Sequence, residues 1–360
     1  MGIKDRIQKL RLMFAEKEIE GILISQPQNR FYLSGFLGSD GYLLITEKQL
    51  IIAVDFRYVE QAKRQSPDFK LFNITGPMED WFARLVGSLN IKRLGFESTN
   101  VTYALYRQLT EILQKNQLPL QLIPTDGIVE SLRAVKEPEE IELISKAVDI
   151  SDLAVAHIQK VIHPGMTELE VAWEIEKYMR ENGSETVPFE LIVAAGPNSA
   201  LPHAHPSERP IQAGEPIVMD IGARHRNYTS DLTRTICIGQ PDSTYRKVYD
   251  TVLGAQLAAI AIIKEGMSGE AADNIARTVI QEAGYGDNFG HGLGHGVGLE
   301  THESPRLGMR STDKLTNGMV FSIEPGIYLP GWGGIRIEDT VLMDNGKIKV
   351  LSKAEKIAKS

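Results

Sequence analysis

Residues 218–238 read VMDIGARHRNYTSDLTRTICI, which is an apolar run, a polar turn around His225-Arg226 and a second apolar run. This pattern predicts a β-hairpin. With the turn centred there, Asp220 and Asp231 would face each other across the ladder. Directly opposed side chains lie about 4.5–5.5 Å apart at Cβ, where like charges repel each other. The pair therefore indicates a bound cation, unless one Asp caps a turn and the other is a solvated strand residue.

A second stretch repeats this arrangement. Residues 319–341 read MVFSIEPGIYLPGWGGIRIEDTV, and a hairpin turn centred on Gly331 would place Glu324 opposite Glu338. Acidic side chains within runs of Ile, Val and Phe are costly to bury unless they are paired or bind a metal. We therefore expect the two acidic hairpins to line one site.

Between the hairpins, residues 290–298 read GHGLGHGVG. We interpret them as a loop that supplies an imidazole and whose glycines allow close backbone approach. The four carboxylates carry about −4, which two divalent cations would neutralise, and one carboxylate can bridge two ions roughly 3.5–4 Å apart. The three stretches together predict a site for two metal ions.

Composition limits the class of protein. The chain has 360 residues, which favours two domains, and its 42% hydrophobic and 24% charged residues are ordinary for a globular protein. A formal net charge of −8 argues against a nucleic-acid partner. A single cysteine, Cys237, excludes an internal disulfide framework. No apolar run has the length of a signal peptide or a membrane span, so we expect a cytoplasmic enzyme with no membrane partner.

Helical and strand patterns alternate in residues 1–125, which predicts a smaller α/β domain with a partly parallel sheet. The predicted helices cover 4–20, 55–66, 79–89 and 102–116, and the predicted strands cover 21–25, 42–45, 50–54, 69–74, 91–96 and 120–123. Residues 29–35 are interpreted either as a loop that visits the active site or as a packed turn. The domain boundary is expected within 124–127.

Residues 126–360 form the second predicted domain. A helix is expected to begin after Glu137, and Thr167 and Glu170 fit the capping box of another. A strand over 190–196 and helices over 243–265 and 268–283 complete the pattern. The fold class is therefore α/β, or α+β.

Three common enzyme motifs are missing from the sequence. The glycine-histidine stretch lacks the Gly-x-Gly-x-x-Gly spacing of dinucleotide-binding loops. The stretch that begins at His302 is no His-Glu-x-x-His zinc helix, because position 306 is arginine. No Gly-x-Ser-x-Gly elbow supports a serine hydrolase.

The acidic and histidine motifs resemble those of the pita-bread metallopeptidases, a family that includes prolidases, aminopeptidases P and methionine aminopeptidases. The resemblance covers essentially the whole chain. Its motifs are Asp220, Asp231, His295 in a Gly-His-Gly frame, Glu324 in Ile-Glu-Pro-Gly and Glu338 in Arg-Ile-Glu-Asp. It implies a pita-bread catalytic domain of two pseudo-symmetric halves, a creatinase-type N-terminal domain as in the proline-specific branch, and a homodimer.

The resemblance also implies a chemistry. These five residues would hold two divalent metal ions, and a metal-bridging hydroxide would hydrolyse Xaa-Pro bonds while Glu324 shuttles the proton. His203 and His302 match family positions for donors to the oxyanion. An oxygen-rich site with one imidazole suits Mn²⁺ or Co²⁺ and can take Zn²⁺.

Further residues are expected to bind the substrate: His291, Arg306, Arg336 and Tyr228. His291 either lines the pocket or forms a hydrogen bond within the glycine-rich stretch. Arg336 lies two residues before Glu338, so both side chains are expected on the same side of the strand. Arg336 could therefore support that ligand instead of binding the substrate. Arg306 would bind the C-terminal carboxylate of a short substrate through two parallel hydrogen bonds, unless it pairs with a neighbouring acid.

The expected substrates are short proline-containing peptides, and Xaa-Pro dipeptides above all. Because an Xaa-Pro bond has no N–H, a site that activates the carbonyl and anchors the chain ends tolerates it. An aminopeptidase that acts on longer peptides is the first alternative. A metal-retaining amidinohydrolase or binding module is the second, and release of proline from a dipeptide would exclude it.

Overall fold

The structure is a computed structural model. It describes residues 2–356 of the chain. The chain divides into two compact units, Met1–Arg133 and Ala134–Ser360. The sequence predicts this boundary after residue 125. The first unit extends further because Arg133 donates a hydrogen bond to the side-chain oxygen of Asn29 at 2.9 Å, and the hydroxyl of Tyr32 donates to the carbonyl of Leu132 at 3.3 Å.

The first unit is the predicted α/β domain. Its elements are α1 (Ile3–Leu12), β1 (Gly21–Ile24), α2 (Pro27–Ser34), β2 (Tyr42–Thr46), β3 (Leu50–Val54), α3 (Val59–Gln65), β4 (Lys70–Asn73), α4 (Met78–Gly87), β5 (Arg93–Glu97), α5 (Tyr103–Lys115), β6 (Gln121–Thr125) and α6 (Glu130–Ala134). The strand order is β4-β3-β2-β1-β5-β6, with parallel pairs β1–β5, β5–β6 and β3–β4. Trp81, Phe82 and Leu109 of α4 and α5 pack on Leu23 and Leu94 of the sheet.

Residues 29–35, interpreted from the sequence as a loop or turn, lie mostly in helix α2. Pro27 occupies the first helical turn, and Gly35 ends the helix with φ of 76°. The buried carboxylate of Glu97 accepts hydrogen bonds from the backbone N–H of Gln26 at 2.8 Å and from the side chain of Asn29 at 2.7 Å. This acceptor comes from a distant strand, so the local sequence does not reveal it.

The second unit contains the remaining elements. They are α7 (Pro138–Val161), α8 (Glu168–Glu181), β7 (Ile192–Ala195), β8 (Pro216–Ile221), β9 (Arg224–His225), β10 (Tyr228–Thr229), β11 (Leu232–Cys237), α9 (Ser243–Ile262), α10 (Gly269–Glu282), β12 (Gly294–Gly296), β13 (Glu303–Leu307), β14 (Val320–Ile323), β15 (Gly326–Leu329), β16 (Gly333–Arg336), β17 (Asp339–Asp344) and β18 (Lys347–Val350). Short 3-10 helices cover Gly196–Ala200 and Gly286–Asn288. The capping box of α8 forms as predicted, with Thr167 N–H donating to Glu170 at 2.8 Å and Glu170 N–H donating to Thr167 at 3.1 Å.

Each half of this unit packs a pair of helices on a sheet. In the first half, Val155 of α7 and Ile175 of α8 share a core with Met219 of the sheet β11-β8-β7. In the second half, α9 and α10 share a core with Phe321 and Val341 of the sheet β13-β12-β14-β17-β18. The repeated helix pair and sheet match the predicted pseudo-symmetric halves. Within residues 2–356, no helix is both long and apolar enough to span a bilayer.

Candidate metal centre

The first acidic hairpin forms, but its turn lies further along the chain than the sequence predicts. Asp220 in β8 stands opposite Thr233 in β11, and β9 and β10 continue in the same register. The turn residues Arg226 and Asn227 both have positive φ, 47° and 73°. The prediction that Asp220 and Asp231 are directly opposed is therefore wrong. The observed register makes them diagonal neighbours on the same face of the hairpin, still within reach of one site.

The second acidic hairpin has the predicted register. β14 pairs with β17 and β15 pairs with β16 in one continuous alignment around Gly331. Glu324 and Glu338 lie in the gap between these two ladders and face each other there. This register confirms the predicted turn, in which Gly331 supplies a positive φ of 83°.

His295 lies on a strand, although we interpreted its surroundings as a loop. It is the central residue of β12, which lies between β13 and β14. A Cβ on Gly294 would stand 2.1 Å from the carbonyl oxygen of Ser322, and one on Gly296 would stand 2.1 Å from that of Ser304. The glycines thus allow the close backbone approach that the sequence predicts, and this approach positions the imidazole.

The two hairpins and β12 bring their polar side chains together. Ligand atoms of Asp231, His295 and Glu338 lie within 4.8 Å of one another. His295 Nε2 is 3.6 Å from Asp231 Oδ2 and 3.2 Å from Glu324 Oε1. The hydroxyl of Thr233 donates a hydrogen bond to Glu338 Oε2 at 2.7 Å and fixes that carboxylate.

Asp220 joins the cluster from β8, where Arg336 Nη2 donates a hydrogen bond to its Oδ2 at 2.7 Å. Its Oδ1 and the Oε1 of Glu338 are buried and have no hydrogen-bond partner among the described residues. Leaving a buried acceptor unsatisfied is costly, more so for a charged one. A set of carboxylate oxygens and one imidazole, with two oxygens left for a cation, fits divalent metal ions.

The pKa shifts of the cluster residues also favour bound metal ions. Burial raises the pKa of Asp220, and burial together with the neighbouring carboxylates raises the pKa values of Asp231 and Glu338 well above their usual range. Glu324 is half-buried, and its hydrogen bond to His295 and the charge of that ring lower its pKa to about 2 against the effect of burial. The same contact raises the pKa of His295 against the effect of burial. Bound cations would relieve the repulsion among these carboxylates.

Three more histidines surround the cluster. The ring centroids of His295 and His302 are 4.1 Å apart. Burial lowers the pKa values of His291 and His302, and the charge of His295 lowers that of His302 further. His203 and His302 are themselves exposed, so a ligand can reach them. The structure thus brings both predicted oxyanion donors to the edge of the cluster.

Tyr328 is a site residue that the sequence analysis missed. Its hydroxyl accepts a hydrogen bond from Arg336 Nη1 at 2.8 Å and lies 2.9 Å from His291 Nε2. Arg336 Nη1 also donates to the carbonyl of Pro202 at 3.3 Å, next to His203. Tyr328 lies four residues after Glu324, and side chains an even number of positions apart on a strand point to the same side. This spacing is the signal that could have identified Tyr328.

Arg306 lies in β13 opposite His295, with its side chain exposed. Asp313 accepts a hydrogen bond from the backbone N–H of Arg306 at 2.7 Å, and Glu303 pairs instead with buried Lys136 at 2.7 Å. Within residues 2–356, the Arg306 guanidinium has no carboxylate partner and is therefore available to a ligand.

Tyr228 differs from the other predicted substrate contacts. It is buried, and its hydroxyl donates a hydrogen bond to Glu140 of α7 at 2.7 Å. This contact ties β10 to a helix. A substrate contact by Tyr228 stays a prediction, and it would have to coexist with this bond.

Comparison with known proteins agrees with this geometry. Residues 142–345 match the model of metallopeptidase family M24, and residues 6–135 match the Creatinase/Prolidase N-terminal domain. An Xaa-Pro dipeptidase of Pyrococcus furiosus is 40% identical over 98% of this chain and 99% of its own. A solved Xaa-Pro dipeptidase from Bacillus anthracis superposes with a TM-score of 0.95 at 41% identity, covering 99% of both chains. A solved X-Pro aminopeptidase from Thermotoga maritima superposes with a TM-score of 0.89 at 37% identity, covering 98% of both.

These matches confirm the pita-bread catalytic domain, the creatinase-type N-terminal domain and an enzyme that depends on divalent metal ions. The chain belongs to metallopeptidase family M24.

Proposed function

We propose that the protein is an Xaa-Pro dipeptidase that uses two divalent metal ions. The observation that carries this proposal is the cluster of four buried or half-buried carboxylates around His295, in which Asp220 Oδ1 and Glu338 Oε1 lack hydrogen-bond partners among the described residues. The similarity to the Xaa-Pro dipeptidase of Pyrococcus furiosus over 98% of the chain supports the substrate class.

The metal ions would be held by Asp220, Asp231, His295, Glu324 and Glu338. When bound, divalent ions acidify water and polarise the scissile carbonyl. Hydrolysis adds water across the C–N bond, so one proton must leave the attacking water and one must reach the proline nitrogen. Glu324 is the proposed carrier of that proton, because its Oε1 accepts a hydrogen bond from the hydroxyl of Ser322 at 3.1 Å and lies 3.2 Å from Nε2 of His295 within the cluster.

His203 and His302 are the proposed donors to the oxyanion that forms as the carbonyl is attacked. Both lie beside the cluster without being part of it, and a donor placed in advance is worth about 2.7–4 kcal/mol in comparable sites. Arg336 has a supporting role in this scheme. Its bonds to Asp220, Tyr328 and the carbonyl of Pro202 hold a ligand and the His203 segment in one arrangement.

Arg306 is the proposed anchor for the substrate carboxylate. It stands opposite His295 on β13, and its guanidinium has no acidic partner among the described residues. In an Xaa-Pro dipeptide the C-terminal carboxylate lies one residue beyond the scissile bond. A planar guanidinium can bind that group with two charge-assisted hydrogen bonds.

A second candidate is an Xaa-Pro aminopeptidase that acts on longer peptides. The similarity to the X-Pro aminopeptidase of Thermotoga maritima, at 37% identity, favours it. The two activities share the metal site. They differ in whether the substrate chain ends at the proline or continues beyond it.

The finer features of the proposal are the metal, the assembly and the compartment. We infer Mn²⁺ or Co²⁺ as the working metal, with Zn²⁺ also accepted, because the ligands are mostly oxygen atoms. We also infer a homodimer, from the family resemblance, and a cytoplasmic enzyme. A single buried cysteine suits a reducing compartment.

The deciding experiment is metal-restored cleavage. Protein stripped by a chelator should release no proline from an Xaa-Pro dipeptide, and Mn²⁺ or Co²⁺ should restore release. A matched Xaa-Pro-Yaa tripeptide separates the two candidates, since a dipeptidase prefers the dipeptide. Turnover that persists after elemental analysis shows the metals gone would contradict the metal-dependent scheme.

A further inference from the structure

The segment that carries His203 has no regular structure near that residue. It begins with the 3-10 helix Gly196–Ala200, and residues 201–207 after it form no helix or strand. His203 is exposed, and Leu201 before it is 59% exposed. A donor to a developing oxyanion has to be held in place, because a displacement of about 1 Å can cost roughly 100-fold in rate. Arg336 holds the Pro202 carbonyl at 3.3 Å in the middle of the segment, so the two ends need a further support from outside it.

Glu168, the first residue of α8, supplies this support. Its side chain is fully buried and accepts hydrogen bonds from both ends of the segment. At the start, the backbone N–H of Ala195, the residue before the segment, donates to Oε1 at 2.7 Å, and the side-chain amide of Asn198 donates to Oε1 and Oε2, each at 3.1 Å. At the end, Ser207 donates to Oε2 from its hydroxyl at 2.6 Å and from its backbone N–H at 3.1 Å.

The backbone of the same helical turn adds to this attachment. The N–H of Glu168 donates to the carbonyl of Arg209 at 3.2 Å, and the N–H of Leu169 donates to the carbonyl of Ser207 at 3.1 Å. The first turn of α8 therefore accepts hydrogen bonds from the segment through the Glu168 carboxylate, and its backbone N–H groups donate to the end of the segment and to Arg209 just beyond it. His203 lies between the two attachment points.

We propose that Glu168 is a positioning residue for His203, which it holds in place by joining the two ends of the segment 196–207. This inference rests on the proposed donor role of His203. A carboxylate suits the task because it is an acceptor at both oxygens, and all its bonding partners here are neutral donors. No other side-chain type of this length accepts at two atoms without donating.

The test is Glu168→Gln, which keeps the shape and replaces one acceptor by an N–H donor that faces other donors. In the metal-loaded enzyme we expect kcat for an Xaa-Pro dipeptide to fall roughly 10- to 100-fold, with KM little changed and the metal content retained. Amide hydrogen exchange in 196–207 should speed up. Glu170→Gln is the matched control, since Glu170 caps the same helix from an exposed position and does not contact the segment.

A double-variant comparison separates positioning from general support. If Glu168 acts through His203, adding Glu168→Gln to His203→Ala should cause little further loss of kcat. The proposal would be overturned if Glu168→Gln lowered kcat equally in the wild-type protein and in His203→Ala, or if Glu168→Gln alone left kcat unchanged. If Glu168→Gln folds poorly, Ser207→Ala removes the 2.6 Å bond at one end only and should reproduce a smaller loss of the same kind.

The proposed function and the proposed role of Glu168 fail in different ways. If the metal-loaded wild-type protein releases no proline, the proposed function is wrong. Hydrogen exchange in 196–207 needs no substrate, so it reports on Glu168 in either case. Unchanged exchange in Glu168→Gln would show that the carboxylate does not hold the segment.

Discussion

Replacing a proposed metal ligand and replacing a proposed donor histidine should have different effects on metal content and turnover. Asp231→Ala or Glu324→Ala removes one proposed metal-binding carboxylate, so both variants should lose metal and turnover together. His203→Ala and His302→Ala should keep the metal and lose about 100- to 1,000-fold in kcat, the usual effect of one oxyanion donor. Elemental analysis beside steady-state kinetics measures both quantities. If His302→Ala lost the metal while His295→Ala kept it, the two histidines would have the opposite roles.

The proposed role of Arg306 as the anchor of the substrate carboxylate can be tested by changing that one side chain. Losing a hydrogen-bonded charge costs about 1.5–3 kcal/mol, so Arg306→Ala should lower kcat/KM for an Xaa-Pro dipeptide roughly 10- to 100-fold. For a tripeptide, which has an amide where the dipeptide has its carboxylate, kcat/KM should fall much less.

Arg306→Lys is the matched variant for this comparison. It keeps the charge but cannot form two parallel bonds, so it should recover only part of the dipeptide activity. Equal losses on the dipeptide and the tripeptide would remove Arg306 from the carboxylate role and favour the aminopeptidase alternative.

At the scale of the elements, strand β12 shows how closely backbone packing controls the site. Gly294→Ala would place a Cβ 2.1 Å from the carbonyl oxygen of Ser322 on β14. Because backbone cannot move aside as a flexible side chain can, we expect a loss of about 1–3 kcal/mol in stability and a displaced His295. Thermal unfolding and metal titration measure the two effects.

Gly290 provides the control from the same glycine-rich stretch. A Cβ there would meet no atom within 4 Å, and its φ is not in the left-handed region. Gly290→Ala should therefore keep both stability and metal content near those of the wild-type protein. A Gly294→Ala variant that matched it would show that β12 and β14 can separate without disturbing the site.

For the whole molecule, metal binding and stability are linked. Ions that bind only the folded state stabilise it by about 2.7 kcal/mol at a hundredfold excess over Kd. We therefore expect Mn²⁺ to raise Tm of the chelator-treated protein. Differential scanning calorimetry over a range of metal concentrations tests this. A constant Tm would show that the cluster does not bind the ion.

The pH dependence of the metal-free protein depends on the same carboxylates. Since the pKa values of Asp231 and Glu338 are raised in the folded state, that state binds more protons than the unfolded state above the ordinary carboxyl range. These two groups therefore make stability fall as pH rises from that range through their raised pKa values. Asp231→Asn should flatten this fall in Tm, and bound metal should do the same. An equally steep fall in Asp231→Asn would assign the dependence to other groups.

The sequence by itself determined the parts of the protein that depend on local patterns. Alternating apolar residues located the strands, and the spacing of Thr167 and Glu170 located the start of α8. The glycines around residue 331 determined the register that brings Glu324 opposite Glu338. The glycines on both sides of His291 and of His295 marked positions where backbones approach closely, and the family resemblance singled out His295 as the ligand.

Tertiary structure decided the rest, because the deciding partners are far apart in the chain. The register of the first hairpin depends on a turn in which Arg226 and Asn227 both take positive φ, and arginine gives little local signal for that conformation. Arg336 donates to Asp220 across 116 positions, and Ser207 reaches Glu168 across 39. A buried polar group must find a partner wherever the fold brings one, so no periodicity along the chain could reveal these contacts.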